Sequence, residues 1–317
     1  MNTKFCLGTA AIGRPVYINV RQTHADNTFN LDLFNAEGIR FLEEAYSLGI
    51  KHFDVAPSYG AAEHMLQEWL TVNKHSDVAL SSKWGYSYEA NYKSDAKIHE
   101  NKEHSLQRLT TQWEETKKLL PHLKLYQIHS ATIESAVLDN KEVLQKLNFI
   151  QNEFGVEIGV TVTGANQNEI IKKALNITIN GKQLFSSIQV TYNVFEQGLL
   201  EVLPLIKEHK IKLIIKESLA NGRVFKNEQF SNYKKMYELM DKLSEKYNVS
   251  NDAVALRYVI DSVSPDMLLL GAINKEQLLS NLNCKNFSLT SDELTKINSL
   301  KNTSEAYWNE RAQLTWN

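Results

Sequence analysis

The stretch HFDVAPSYGAAEHMLQEWL, residues 52–70, reads as a short apolar strand, a turn and an amphipathic helix in succession. Residues 52–55 are strand-like, and Pro57, Ser58 and Gly60 punctuate the turn. Ala61, Ala62, Met65, Leu66, Trp69 and Leu70 then recur at helical spacing. The same unit repeats in both directions from here. Further strands are expected at 5–8, 78–82, 123–128, 156–162, 187–191, 211–215 and 267–270. Helical stripes fall between them, near 106–120, 143–154, 167–175, 199–208 and 229–260, and from Lys275 and Ser291 onward. Eight units with a repeat mostly near about 30 residues, and no linker rich in Pro, Gly or Ser, argue for one undivided α/β domain over 1–317. The expected fold is a (β/α)8 TIM barrel. No G-x-G-x-x-G follows any strand, which excludes a Rossmann reading.

Composition narrows the function classes. Lys and Arg number 35 against 37 Asp and Glu, a net charge of −2 that gives no reason to expect nucleic acid or an anionic membrane as partner. The longest apolar run, 267–273, is far short of the roughly 18 residues a spanning helix needs. The N-terminal residues lack a cleavage region and read as a strand, so the expected location is cytoplasmic. Cys6 and Cys284 are too few for a disulfide framework, and the N-x-S/T triplets at Asn176, Asn248, Asn286 and Asn302 then carry no weight.

In a parallel barrel, catalytic residues gather where strands run into the loops that follow them. Three successive apolar strands end in an ionisable residue: Asp54, Lys83 and His129, with Tyr59 in the loop after the first. A phenol is a weak acid near neutral pH. A neighbouring ammonium lowers its pKa, and a carboxylate keeps that ammonium charged and aimed. Asp54, Lys83 and Tyr59 can form that chain, with His129 as a second donor to a carbonyl oxygen receiving hydride. Singly, each residue reads as structural, and Asp54 with Lys83 as an ion pair bracing the rim. His99-Glu100 and Glu103-His104 lack metalloprotease spacing, and no metal is expected. Lys83 or Lys216 as a Schiff-base lysine of an aldolase-type barrel is the alternative chemistry.

With these residues the sequence resembles the aldo-keto reductases. The matching pieces are Leu7-Gly8-Thr9, FDVAPSYG at 53–60, Lys83-Trp84-Gly85, YQIHS at 126–130, IGVTVTG at 158–164, IQVTYNVFEQ at 188–197, IIKESLANGRVF at 214–225 and LLGAINKEQLLSNL at 269–282. The resemblance implies a reductase of an aldehyde, ketone or sugar-like carbonyl that uses NADP, with NAD as the alternative. It implies Tyr59 as general acid, Lys83 and Asp54 as its support and His129 as the residue orienting the carbonyl. Gln189 and Thr161 would hold the carboxamide. Leu219, Asn221 and Arg223 would meet the pyrophosphate, and Gly271, Gln277 and Asn281 the adenosine end.

Three positions depart from the family pattern. Thr161-Val162 stands where the family has Ser-Asn, leaving the hydroxyl without the amide, with Thr163 a partial substitute. Lys216 stands in place of the aromatic residue that stacks on the ring, and Glu217 is expected to pair with it unless Lys216 faces phosphate. Lys275 is the single basic residue in 271–277, so preference for NADP over NAD is inherited from the resemblance.

The substrate end falls on polar inserts at 14–35, with Tyr17 and His24, and at 86–104, with Tyr86, Tyr88 and Tyr92. The tail at about 300–317, with Tyr307, Trp308 and Trp316, is placed to close over the site. Trp84, directly after Lys83, is the expected substrate wall. A regulatory, non-catalytic nicotinamide-binding protein is the rival function, and the number of subunits is left open.

Overall fold

The computed structural model describes residues 3–20, 29–93 and 95–316. Eight parallel strands close into a barrel: β1 (Lys4–Gly8), β2 (His52–Asp54), β3 (Ala79–Trp84), β4 (Leu123–Ala131), β5 (Glu157–Val162), β6 (Ser187–Thr191), β7 (Lys212–Lys216) and β8 (Met267–Leu270). They follow one another in chain order around the ring, and β1 pairs with β8 to shut it. The helices that cover strands β1 to β5 are α1 (Leu31–Ser47), α2 (Ala62–Asn73), α3 (Leu106–Thr116), α4 (Lys141–Phe154) and α5 (Gln167–Leu175). Beyond them come α6 (Leu203–Glu208), α7 (Lys234–Tyr247), α8 (Asn251–Val263), α9 (Lys275–Leu282), α10 (Ser291–Asn298) and α11 (Ser304–Ala312).

Register decides what fills the barrel. Parallel partners present their side chains to the same face, and successive residues to opposite faces. Gly8, Asp54 and Ser81 are partners along β1–β3, and Lys83, Gln127 and Gly159 along β3–β5. Thr161 partners Gln189, and Thr191 partners Lys216. These polar residues line the lumen. The alternate residues, among them Phe53, Leu80, Ile128, Val160, Val190 and Ile215, face the helices and are fully buried. Each contributes roughly 1.5–3 kcal/mol by leaving water. A Cβ at Gly159 would lie 2.3 Å from Ser187 Oγ and 3.0 Å from Gln127 Cγ, so the lumen is packed tight at that level.

Three elements differ from the sequence expectation. The helix expected at 199–208 begins at Leu203, because Pro204 takes a first-turn position and a 3-10 turn precedes it. The stripe at 229–260 is two helices, parted where Asn248 turns left-handed at φ 52°. The insert after β3 pairs Tyr86–Tyr88 with Glu100–Lys102 in a small antiparallel hairpin.

The tail is tied down by long-range contacts. Arg223, fully buried, pairs with Glu310 at 2.7 Å and lies over the Tyr307 ring. Tyr233 donates to the same Glu310 at 2.6 Å. Beyond α11, Trp316 bridges to Ile18 in antiparallel fashion and stacks on His99, 4.4 Å between ring centres. Among the described residues no helix is long and apolar enough to cross a membrane.

Candidate active site

Tyr59 is placed by the turn after β2. Its N–H donates to Ala56 O at 2.9 Å, and Arg14 donates to Ser58 O at 3.0 Å. The turn lies against the loop after β1 so closely that a Cβ on Gly13 would stand 2.1 Å from Tyr59 O. Gly60, at φ 59°, meets Gly13 O in the same way. No side chain fits at either position, and the two loops hold the phenol over the lumen.

Lys83 Nζ reaches the Tyr59 hydroxyl at 3.1 Å, donates to Val55 O at 3.2 Å, and pairs with Asp54. Lysine and aspartate are both almost wholly buried. Asp54 Oδ2 accepts further bonds from Ser81 at 2.7 Å, Gln189 at 3.0 Å and Gln127 at 3.4 Å. Four donors therefore surround one carboxylate, which fixes the ammonium that faces the phenol. Ser81 and Gln127 were not singled out from the sequence. Their signal was an uncharged polar residue at an inward position of an apolar strand, visible only once the barrel's register is known.

Burial, then the charge of Asp54, hold the Tyr59 phenol well above its ordinary pKa, with Arg14 opposing. The expected lowering by an ammonium is outweighed by burial and by the charge of Asp54. The resting residue is a neutral acid. The His129 ring stands 5.7 Å from that of Tyr59, nearly perpendicular, and 4.6 Å from Tyr86. Burial, then Lys83 and Lys216, push His129 well below the usual imidazole value, so it is neutral. Its Nδ1 is buried and has no protein partner among the described residues.

Trp84 does not line this space. Lys83 faces the lumen, so its neighbour faces the helices, where Trp84 is fully buried with its ring edge-on to His104. Tyr86 occupies the place beside His129 instead. Tyr17 lies 5.1 Å beneath the Arg14 guanidinium, which also covers the Tyr59 and Trp316 rings. Tyr88 and Tyr92 pack on each other farther out, and Trp308 packs on Tyr307. His24 lies outside the described residues.

The residues expected at the cofactor fall into two groups. Thr161, Gln189 and Lys216 share the lumen with Asp54, Lys83 and His129. Thr161 Oγ1 accepts from Ser130 N at 2.6 Å, while Gln189 is bound to Asp54. Leu219 and Asn221 lie on the loop after β7, which runs through left-handed residues Glu217, Ala220, Asn221 and Gly222. Asn221 donates to Ile18 O at 3.2 Å. Its Oδ1 and the Ser218 hydroxyl are buried without a protein partner among the described residues. A Cβ at Gly271, past the end of β8, would meet nothing within 4 Å. Of these two atoms the Ser218 hydroxyl can donate to an anionic cofactor, whereas Asn221 Oδ1 can only accept.

The second group also makes contacts within the protein. Arg223 is held by Glu310, Asn281 donates to Asp252 at 2.6 Å, and Gln277 Oε1 accepts from Ile273 N at 3.1 Å.

Glu217 does not pair with Lys216. Its carboxylate is bound at 2.8 Å by Arg311, from α11, and Lys216 instead donates to Thr191 Oγ1 at 3.2 Å. Burial alone would raise the Glu217 pKa, but Arg311, then Lys216, draw it down to about 2. A carboxylate depressed from 4.5 to about 2 on folding stabilises the protein above pH 4.5, and the gain vanishes as pH falls toward 2. The contribution is roughly 3 kcal/mol. Urea unfolding at pH 7 and pH 3 should show wild type losing more stability on acidification than Arg311→Met. Equal losses would remove this ion pair from the account.

Comparison with known proteins identifies the family. The Aldo/keto reductase family pattern matches residues 6–302. The aldo-keto reductase YhdN of Bacillus subtilis is 25% identical over 296 residues, covering 84% of each chain. The glycerol dehydrogenase AKR11B4 of Gluconobacter oxydans superposes with a TM-score of 0.70 at 21% identity, over 93% of this chain and 90% of that one. The holo aldo-keto reductase AKR11C1 of Bacillus halodurans gives 0.69 at 18% identity, over 95% and 92%. The closed barrel, the residues brought to its mouth and a family match along nearly the whole length converge: the chain belongs to the aldo/keto reductase family of oxidoreductases.

Proposed function

We propose that this protein reduces an aldehyde, ketone or sugar-like carbonyl with NADPH or NADH, and that Tyr59 supplies the proton. The observation that carries this reading is a neutral, buried phenol contacted at 3.1 Å by an ammonium already matched to Asp54. A bound reduced nicotinamide supplies hydride to the carbonyl carbon. The negative charge that develops on the carbonyl oxygen meets Tyr59 Oη, which donates its proton, while the Lys83 ammonium steadies the phenolate left behind. His129, neutral and with its ring 5.7 Å from that of Tyr59, orients the same oxygen. Thr161, Gln189, Lys216, Leu219, Asn221, Arg223, Gly271, Gln277 and Asn281 are the residues proposed to hold the cofactor, and Lys275 is the one basic side chain within 271–277 offered to a 2′-phosphate.

The mouth favours small substrates. Tyr17, Tyr86 and Trp316 give it aromatic walls, and the tail from 300 onward serves as its cover. Two buried, unpaired cysteines accord with a cytoplasmic setting.

The test is a titration of NADPH and NADH followed by cofactor fluorescence. Oxidation of the bound cofactor is then followed at its absorbance with a panel of aldehydes, ketones and aldoses. Binding with turnover of at least one carbonyl class is expected. Binding without turnover would make this a regulatory nicotinamide-binding protein. A lysine adduct trapped by borohydride would make it an aldolase-type barrel.

A further inference from the structure

Most cations at the barrel mouth are paired; among the described residues Lys102, on the hairpin beside Tyr86, and Lys216, in the lumen, are not. Lys83 pairs with Asp54, Arg14 with Glu100, Arg311 with Glu217 and Arg223 with Glu310. Lys216 makes no ion pair among the described residues. Its ammonium donates to Thr191 Oγ1 at 3.2 Å, and that hydroxyl stands 3.5 Å from Glu217 Oε2, whose carboxylate Arg311 holds.

Register shows where this cation points. Thr191 and Lys216 are partners on β6 and β7, so their side chains share a face. Gln189 lies two residues before Thr191 on the same face, and its amide reaches Asp54 inside the lumen. Lys216 therefore stands over the lumen one layer above Gln189. Around the ring, Tyr59, Lys83 and His129 come from the ends of β2, β3 and β4, and Lys216 from β7 on the far side.

A carbonyl held by Tyr59 and His129 has its oxygen on the β2–β4 side. A hydride donor must approach its carbon from elsewhere, and β5–β8 supply the opposite wall. We propose that Lys216 makes this site prefer the reduced nicotinamide over the oxidised one. The preference follows from charge, and it rests on the nicotinamide reading above. The reduced ring is neutral and the oxidised ring carries a positive charge. An unmatched ammonium in a poorly solvated lumen repels only the latter. Glu217 acts on Lys216 more strongly than Arg311 does, but its carboxylate is held by Arg311, so it offsets only part of that repulsion. The family's aromatic residue at this position would carry no such charge, and its replacement makes the site a poor holder of oxidised cofactor.

The test measures binding and needs no turnover. Calorimetric titrations of NADPH, NADP, NADH and NAD into the full-length protein give the ratio of dissociation constants, oxidised over reduced, for each pair. Wild type should favour the reduced form. In Lys216→Met the ratio should fall about tenfold or more, the scale of one charge–charge contact in a site of intermediate dielectric. Lys216→Arg, which keeps the charge, should retain the preference. If Lys216→Met fails to fold, as judged by circular dichroism, Lys216→Gln carries the same comparison. A ratio unchanged by neutralising Lys216, with both forms still bound, overturns the proposal. If wild type binds no nicotinamide in either state, the underlying functional reading falls first and this inference with it.

Discussion

Tyr59→Phe should lower kcat by about a hundredfold to ten-thousandfold while cofactor affinity changes little. The substitution removes one oxygen. The ring keeps its packing against His129 and beneath Arg14, and the backbone contacts that place the loop do not involve the hydroxyl. Lost with it are the hydroxyl proton beside Lys83 and the group on which developing charge would be neutralised. Lys83 retains Asp54 and Val55 O, so the ion pair survives and the fold should be intact. Steady-state rates on the best carbonyl, alongside cofactor titration, separate the two effects. Turnover left intact in the phenylalanine variant would remove Tyr59 as the acid. The direction of its pKa adds a condition. A phenol held well above its ordinary value stays protonated through neutral pH, so the reductive rate should not decline there through loss of the Tyr59 proton.

Asp54→Asn should act chiefly on stability. Four donors converge on the carboxylate, and Lys83 is only 1% exposed. Neutralising Asp54 leaves an ammonium in the barrel without its counter-charge, which costs about 3–5 kcal/mol when a buried pair is broken. The amide also places donors against donors, because Gln127 and Gln189 offer their amide nitrogens to the same oxygen. Urea unfolding should reveal the loss, and activity should fall as Lys83 loses its aim. The double variant Asp54→Asn/Lys83→Met should recover part of the stability but none of the activity. If the single substitutions were additive in the double variant, the pair would not be coupled and the argument would fail.

Much of this site was legible in the sequence, for a physical reason. A strand of a closed parallel barrel has no inexpensive place for a charge except its rim, so Asp54, Lys83 and His129 at the ends of apolar strands announced themselves. The barrel itself was equally plain, because its helices and strands alternate with little interruption. Other features depended on contacts between distant segments. Arg223, read as a pyrophosphate partner, is held by Glu310, 87 positions away. Glu217, read as the partner of its neighbour Lys216, is bound by Arg311, 94 positions away. Adjacent residues at a strand end diverge, which also explains why Trp84 turns from the site that Lys83 faces. That alternation was available from the sequence and outweighs adjacency.

The antiparallel bridge between Ile18 and Trp316 has a practical consequence for how the molecule can be tethered. Thr3 enters beside Pro265, at the end of the barrel where the strands begin, whereas Trp316 is stitched into the rim where they end. A fusion partner or solid support joined ahead of Thr3 leaves the mouth that holds the candidate site turned toward solution. One joined after Trp316 stands across that mouth, pulling on the strap that crosses Arg14 and His99. The orientation of an immobilised enzyme is thus set by which terminus carries the attachment.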